Sequence, residues 1–187
     1  MRYSAVVFDD IANGRGVGVS LYIQGCSHFC PGCFNPETWD FNGGEEFDTE
    51  VEKEILNHLG KPHINHLSIL GGEPLAPCNL YKLSCFINKV NTIYPHITIW
   101  LWTGDTWEHL IFRIKNGMSG VNYLKYILKN VDYLIDGPYI QEQKDLTLSW
   151  RGSRNQRIIK SAESMRTNSL IIEEELTKYK YFDIIYL

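Results

Sequence analysis

No apolar run in this 187-residue chain approaches the ~20 residues that a membrane-spanning helix needs. The opening segment, Met1 to Asp10, has no basic stretch leading into an apolar one, so it does not read as an export signal. There is no block of like charge either. Eighteen lysines and arginines stand against 22 acidic residues, and the net charge of −4 is spread along the sequence. That balance suits solubility and argues against nucleic acid as the main ligand. Cysteine is scarce at five residues, while 44% of the chain is hydrophobic and 13% aromatic, so a core can form without disulfide staples. A reducing cytoplasm, no membrane partner and no direct nucleic-acid ligand are the expectations that follow.

Internal repeats, low-complexity tracts and linker-like composition shifts are also missing, so residues 1–187 read as one domain. Within it, "VGVSLYIQG" (Val17 to Gly25) alternates like a strand and stops at a glycine. Helical spacing is predicted from Thr49 to Gly60, Leu80 to Tyr94, Trp107 to Lys115 and Val121 to Lys129. Between these lie the apolar runs His66 to Leu70, Ile97 to Trp102 and Asp132 to Asp136, each ending at a glycine-containing turn. Strands alternating with helices imply an α/β fold with a mainly parallel sheet. The chain is shorter than the roughly 250 residues of a closed eight-stranded barrel, so an incomplete barrel or an open curved sheet is expected. Ligands in such folds sit beyond the carboxyl ends of the strands. The cysteine-bearing loop after Gly25, Gly71-Gly72-Glu73-Pro74, Thr103-Gly104-Asp105 and Asp136-Gly137-Pro138 all fall there.

Three of the five cysteines crowd into "GCSHFCPGCFN", Gly25 to Asn35. Zinc would take Cys26, Cys30 and Cys33 with His28 or Cys78 as a fourth ligand, although no second closely spaced pair follows. A redox pair would use Cys30 and Cys33 and leave Cys26 without a role. An iron-sulfur cube normally takes one thiolate per iron, so three thiolates leave one iron open to another ligand.

The spacing Cys26-x3-Cys30-x2-Cys33 after a first strand, followed by "GGEP" (Gly71 to Pro74) after the next, resembles the radical S-adenosylmethionine (SAM) superfamily. The fold this implies is an incomplete radical-SAM-type (β/α) barrel. A closer similarity, from about Asn13 to about Arg157, is to the activating proteins of anaerobic ribonucleoside-triphosphate reductases. It is carried by "NGRGVGVSLYIQGCSHFCPGCFNPETWDFNGG", "LSILGGEPL", "IWLWTGDTWEHL", "YLIDGPYI" and "KDLTLSWRGSRNQRII".

By that resemblance Cys26, Cys30 and Cys33 ligate a 4Fe-4S cluster, and SAM binds its open iron. Reductive cleavage of SAM gives a 5'-deoxyadenosyl radical that abstracts hydrogen from a glycine of the reductase catalytic subunit. Reduced flavodoxin or ferredoxin is the implied electron donor. Gly32 and Phe34 flank the last ligand, where the family loop meets SAM, and Phe34 is a candidate to stack on adenine. Gly71, Gly72 and Glu73 match the methionine-binding turn, with Glu73 a possible acceptor for the ammonium group. Thr103, Gly104 and Asp136 are candidates for the ribose or carboxylate.

Where family members often have Asn-Gly-Pro-Gly and then an arginine two places on, this chain has Asn13-Gly14-Arg15-Gly16, with its arginine displaced. Gly14, Gly16 and Gly18 do not form a dinucleotide fingerprint, because they precede a strand. Cys78 and Cys85 read as small buried side chains, the tryptophans as core or interface area, and His28 as a solvated loop histidine. Residues 161–187 extend past the matched part, in a role the pattern leaves open. Two other readings stay in play: a radical SAM enzyme for a small molecule, resembling deazapurine carboxylate synthases, and a zinc-stabilised binding module without catalysis.

Overall fold

The central strands of the sheet run parallel: β2 (Val17–Ile23), β4 (Ile64–Gly71), β5 (Thr98–Trp102) and β6 (Tyr133–Asp136) lie side by side in that order. A computed structural model describes residues 1–174, and the remainder of the carboxyl-terminal extension lies outside the described residues. On one side β1 (Arg2–Asp10) pairs antiparallel with β2 and carries the two-residue β3 (Glu45–Glu46) at the edge. On the other, β7 (Arg157–Lys160) pairs antiparallel with β6. Among the described residues this gives one open seven-stranded sheet of order β3-β1-β2-β4-β5-β6-β7. The α/β class and parallel centre agree with the sequence reading, and the antiparallel edges add to it. The open sheet does not by itself establish a radical-SAM-type barrel.

Helices α1 (Thr49–Leu59), α2 (Leu80–Ile93), α3 (Trp107–Lys115) and α4 (Val121–Asn130) fill the intervals between the parallel strands. In α1 the side chain of Asp48 caps the amide groups of Glu50 and Val51, and Val51, Ile55 and Leu59 turn inward at helical spacing. Thr106 caps α3 through the His109 amide. The buried faces of α2 and α4, including Leu83, Phe86, Leu124 and Ile127, join Leu21, Leu67, Ile69 and Leu101 of the sheet in one apolar core. β4 is buried along most of its length, with Leu67 and Ile69 facing that core and His66 and Ser68 on the other face.

The short α5 (Ser161–Thr167) follows β7 and returns onto this body, with the Ser161 hydroxyl donating to the Leu128 carbonyl at 2.7 Å. The opposite sheet face carries Trp100, Ile135 and Ile158 with Trp102, Tyr133 and Trp150 packed against them. That aromatic face forms the floor beneath the loops at the strand ends.

Candidate functional site at the strand ends

The cysteine loop leaves β2 through Gly25, whose φ of 94° is a left-handed conformation open to glycine. A Cβ there would also strike the Phe41 ring at 2.2 Å. Backbone bonds from Gly25 to the Thr38 carbonyl (2.7 Å) and from Cys26 to the Trp39 carbonyl (3.1 Å) close the loop on itself. Cys26 is buried, and Cys30 and Cys33 are partly exposed; all three are free thiols. Burial pushes the Cys26 thiol up to about 11 and raises Cys30 as well. Deprotonated sulfur at these positions therefore calls for a positive partner such as a metal.

The turn after β4 is stitched to the same loop. Gly72 donates to the Ile23 carbonyl and Glu73 to the Gly25 carbonyl, each at 2.7 Å. A Cβ on Gly72 would lie 2.5 Å from the Gly25 oxygen, so only glycine allows this approach. The Glu73 side chain is 3% exposed and accepts four hydrogen bonds, all at 2.8 Å. One oxygen takes the Leu75 amide and the Thr103 hydroxyl; the other takes the Gly104 amide and the His28 ring. This fills the acceptor capacity of a carboxylate. The hydrogen bond and charge of Glu73 raise the His28 pKa.

Together these loops surround a cavity of about 410 Å³. Cys26, Cys30, Cys33 and Phe34 line it from the first loop, and Gly71, Gly72, Thr103 and Gly104 from the later strand ends. Gly32, Glu73 and Asp136 are not part of its lining. Asp136, 1% exposed, instead accepts the Trp107 amide at 2.8 Å and pairs with Arg157, fixing the start of α3 against β7. Gly32, at φ 72°, shapes the turn between Cys30 and Cys33. Phe34 sits at the mouth with its ring centre 5.0 Å from that of Tyr139. Cys78 is exposed and Cys85 partly so, which corrects the reading of both as buried, and neither lines the cavity.

Sequence reasoning assigned no role in the site to Asn13, Tyr22 or Trp150, all of which line it. Trp150 donates its indole N–H to the Gly14 carbonyl at 3.1 Å, and its own carbonyl accepts the Trp102 indole at 2.8 Å. Gln156 holds this late loop, accepting from Gly152 at 2.9 Å and donating to the Gly137 carbonyl at 3.0 Å. The signal lay in the Trp150-Arg151-Gly152-Ser153 run, which the resemblance flagged without assigning it a task.

The donor set fits a cluster. Thiolates around a single zinc at about 2.3 Å stand roughly 3.8 Å apart in a tetrahedron. The group of three potential ligands gathered within 4.8 Å among the described residues is Asp9, His58 and His63; the cysteines are not gathered so closely. Three sulfurs spread around one cavity wall suit a larger metal body.

A model of the 4Fe-4S single cluster domain matches residues 12–159. The anaerobic ribonucleoside-triphosphate reductase-activating protein of Haemophilus influenzae is 38% identical over 160 residues, covering 84% of this chain and 97% of the relative. The chain belongs to this family of activating proteins. The activating protein of Enterobacteria phage T4 is 37% identical over 158 residues, with 84% of this chain and 93% of the relative aligned. That of Escherichia coli K12 is 34% identical over 158 residues, at 83% and 96%. For the activating-protein family the matched 4Fe-4S region contains the whole cysteine loop and every strand end around the cavity.

Proposed function

We propose that the chain activates an anaerobic ribonucleoside-triphosphate reductase, holding a 4Fe-4S cluster on Cys26, Cys30 and Cys33 and binding SAM beside it. The observation that carries this reading is the opening of three thiols and two glycine turns, Gly71-Gly72 and Thr103-Gly104, onto one cavity. A cluster held by Cys26, Cys30 and Cys33 would, when reduced, supply the one electron that cleaves SAM to methionine and a 5'-deoxyadenosyl radical, and that radical would take a hydrogen atom from a reductase glycine.

The protein's part is positioning and exclusion. Cys26, Cys30 and Cys33 would hold the cluster by three thiolates and so leave one iron to SAM, and the bare backbone of Gly71 and Gly72 leaves room for the methionine end beside it. Glu73 serves here by holding His28, Thr103 and Gly104 in register, since its own oxygens are occupied. Phe34 and Tyr139 flank the mouth as an adenine platform. Leu70, Trp102 and Leu148 supply apolar wall that limits water near a reactive carbon. The reductase catalytic subunit is the partner, a reduced flavodoxin or ferredoxin the electron donor, and the cytoplasm the setting.

The test is anaerobic. Protein reconstituted with iron and sulfide is given reductant, SAM and the reductase, and 5'-deoxyadenosine and the glycyl radical are measured together. Both are expected with the parent chain and neither with Cys30→Ala. A fully loaded parent that yields no 5'-deoxyadenosine in the presence of a competent reductase would overturn the assignment.

A further inference from the structure

We propose that Asp9, His58 and His63 form a second metal site, for a single divalent ion of the zinc type, at the end of the sheet remote from the cysteines. The three residues come from separate elements: Asp9 from the end of β1, His58 from the last turn of α1 and His63 from the connection into β4. Both imidazole Nε2 atoms converge on one oxygen of Asp9, His63 at 2.8 Å and His58 at 3.1 Å. All three ligand atoms lie within 4.8 Å of one another. Ligands held about 2.0–2.1 Å from a zinc ion stand roughly 2.9–3.4 Å apart, so little movement is needed to seat one.

The residue types match the chemistry. Two imidazoles and a carboxylate are a recurrent donor set for zinc and its transition-metal neighbours, with the remaining positions left to water. Two features of the fold aim these groups. The pairing of β1 with β2 shifts register between Val7 and Asp10, and Asp9 sits there at φ 54°, a left-handed conformation uncommon outside glycine. The His58 ring stacks on Phe8 with centres 4.4 Å apart, which fixes its plane while Nε2 faces the carboxylate.

Lys61 opposes the ion. Its ammonium lies 3.0 Å from His58 Nδ1 and 3.4 Å from Nε2, so it must swing away when the metal enters. The site is distinct from the cysteine cavity because β2 separates them: Asp10 pairs with Gly18 near its start, while Cys26 follows its end. Seven residues of strand span roughly 20 Å. An ion here would clasp the end of β1 to the α1–β4 connection.

Zn²⁺ titrated anaerobically into the cluster-loaded full-length chain tests this, with calorimetry for affinity, metal analysis for stoichiometry and the visible cluster absorption as a check that the cysteines stay occupied. One zinc per chain is expected. His58→Ala and His63→Ala should each weaken binding by more than the roughly 10- to 100-fold that loss of an outer partner costs. Lys61→Ala should tighten it, an effect that metal held by cysteine would not show. The melting temperature should rise with Zn²⁺ in the parent and stay put in the histidine variants. No uptake at micromolar Zn²⁺, or equal uptake by parent and histidine variants, would overturn the proposal. Neither result bears on SAM cleavage, which is read separately.

Discussion

The Glu73 carboxylate stands 2.8 Å from the His28 imidazole, so the turn after β4 directly grips the loop that carries Cys26 and Cys30. The same carboxylate reaches Thr103 and Gly104 after β5, so one buried side chain sets the spacing of three loops.

Glu73→Gln separates positioning from direct SAM contact. Glutamine keeps one acceptor oxygen and replaces the other with an amide donor; the backbone amide facing that donor, of Gly104 or Leu75, is left unsatisfied at about 1–3 kcal/mol, while the His28 ring or Thr103 hydroxyl beside it can turn to accept. Lower denaturant stability and lower iron content per chain are expected, alongside reduced SAM binding. Normal stability and iron content with only SAM affinity lost would instead make Glu73 a ligand contact.

Arg157 has two acidic partners in different surroundings, and they should respond differently. Asp136→Asn removes the buried charge of a pair whose arginine is 29% exposed and keeps Glu108, so its cost should fall below the roughly 3–5 kcal/mol of breaking a fully buried pair while exceeding that of losing Glu108. Glu108, with its side chain 62% exposed, contributes under about 1 kcal/mol after solvent screening. Its hydrogen bond to Arg157 holds the Glu108 carboxyl below its usual range. A depressed folded-state pKa stabilises above the unfolded value, near 4.3, and that contribution fades as pH falls through the folded value. Glu108→Gln should therefore be slightly less stable than the parent at pH 7 and equal to it well below pH 4, as urea denaturation at both pH values would show. A gap that widens in acid would contradict this.

The five cysteines should divide cleanly. Alanine at Cys26, Cys30 or Cys33 should abolish stable 4Fe-4S assembly, measured as iron and sulfide per chain. Cys78→Ala and Cys85→Ala should keep the parent's content, since neither lines the cavity. Loss of iron in either of the latter would mean that the cluster draws on a ligand from outside the loop.

Much of this arrangement was legible because the parallel strands are apolar runs that stop at glycine. Those stops mark Gly71, Gly72, Thr103 and Gly104 as strand-end residues, and all four line the cavity. β1 was harder to see, because half-exposed edge residues such as Ala5 and Val7 blur its alternation and its pairing depends on β2. Glu73 and Asp136 also stand at strand ends, yet their side chains turn into the protein, and sequence position carries no information about that choice. The contribution of Trp150 was hidden for a different reason. Its partner Gly14 is 136 residues away, and the loop between β6 and β7 has no periodicity from which the contact can be read.

Trp150→Phe should show whether that contact shapes the cavity. Phenylalanine retains an aromatic ring near Trp100, whose centre is 5.0 Å from that of Trp150, and leaves the backbone carbonyl that accepts the Trp102 indole. It removes the donor to the Gly14 carbonyl. The expected loss is about 1 kcal/mol, far below the roughly 3–5 kcal/mol of truncating a packed aromatic to alanine. Asn13 and Trp150 both line the cavity, and the lost bond releases the β1–β2 turn next to Asn13. If the whole loss falls on the bound state, SAM affinity drops roughly fivefold. Iron content should not change, because the cysteine loop is held by its own backbone bonds to Thr38 and Trp39. Equilibrium binding of SAM to the loaded variant, with iron measured on the same sample, separates the two effects. Unchanged SAM affinity would reduce the Trp150 to Gly14 bond to a structural tie, and lost iron would mean that the late loop supports the cysteine loop as well.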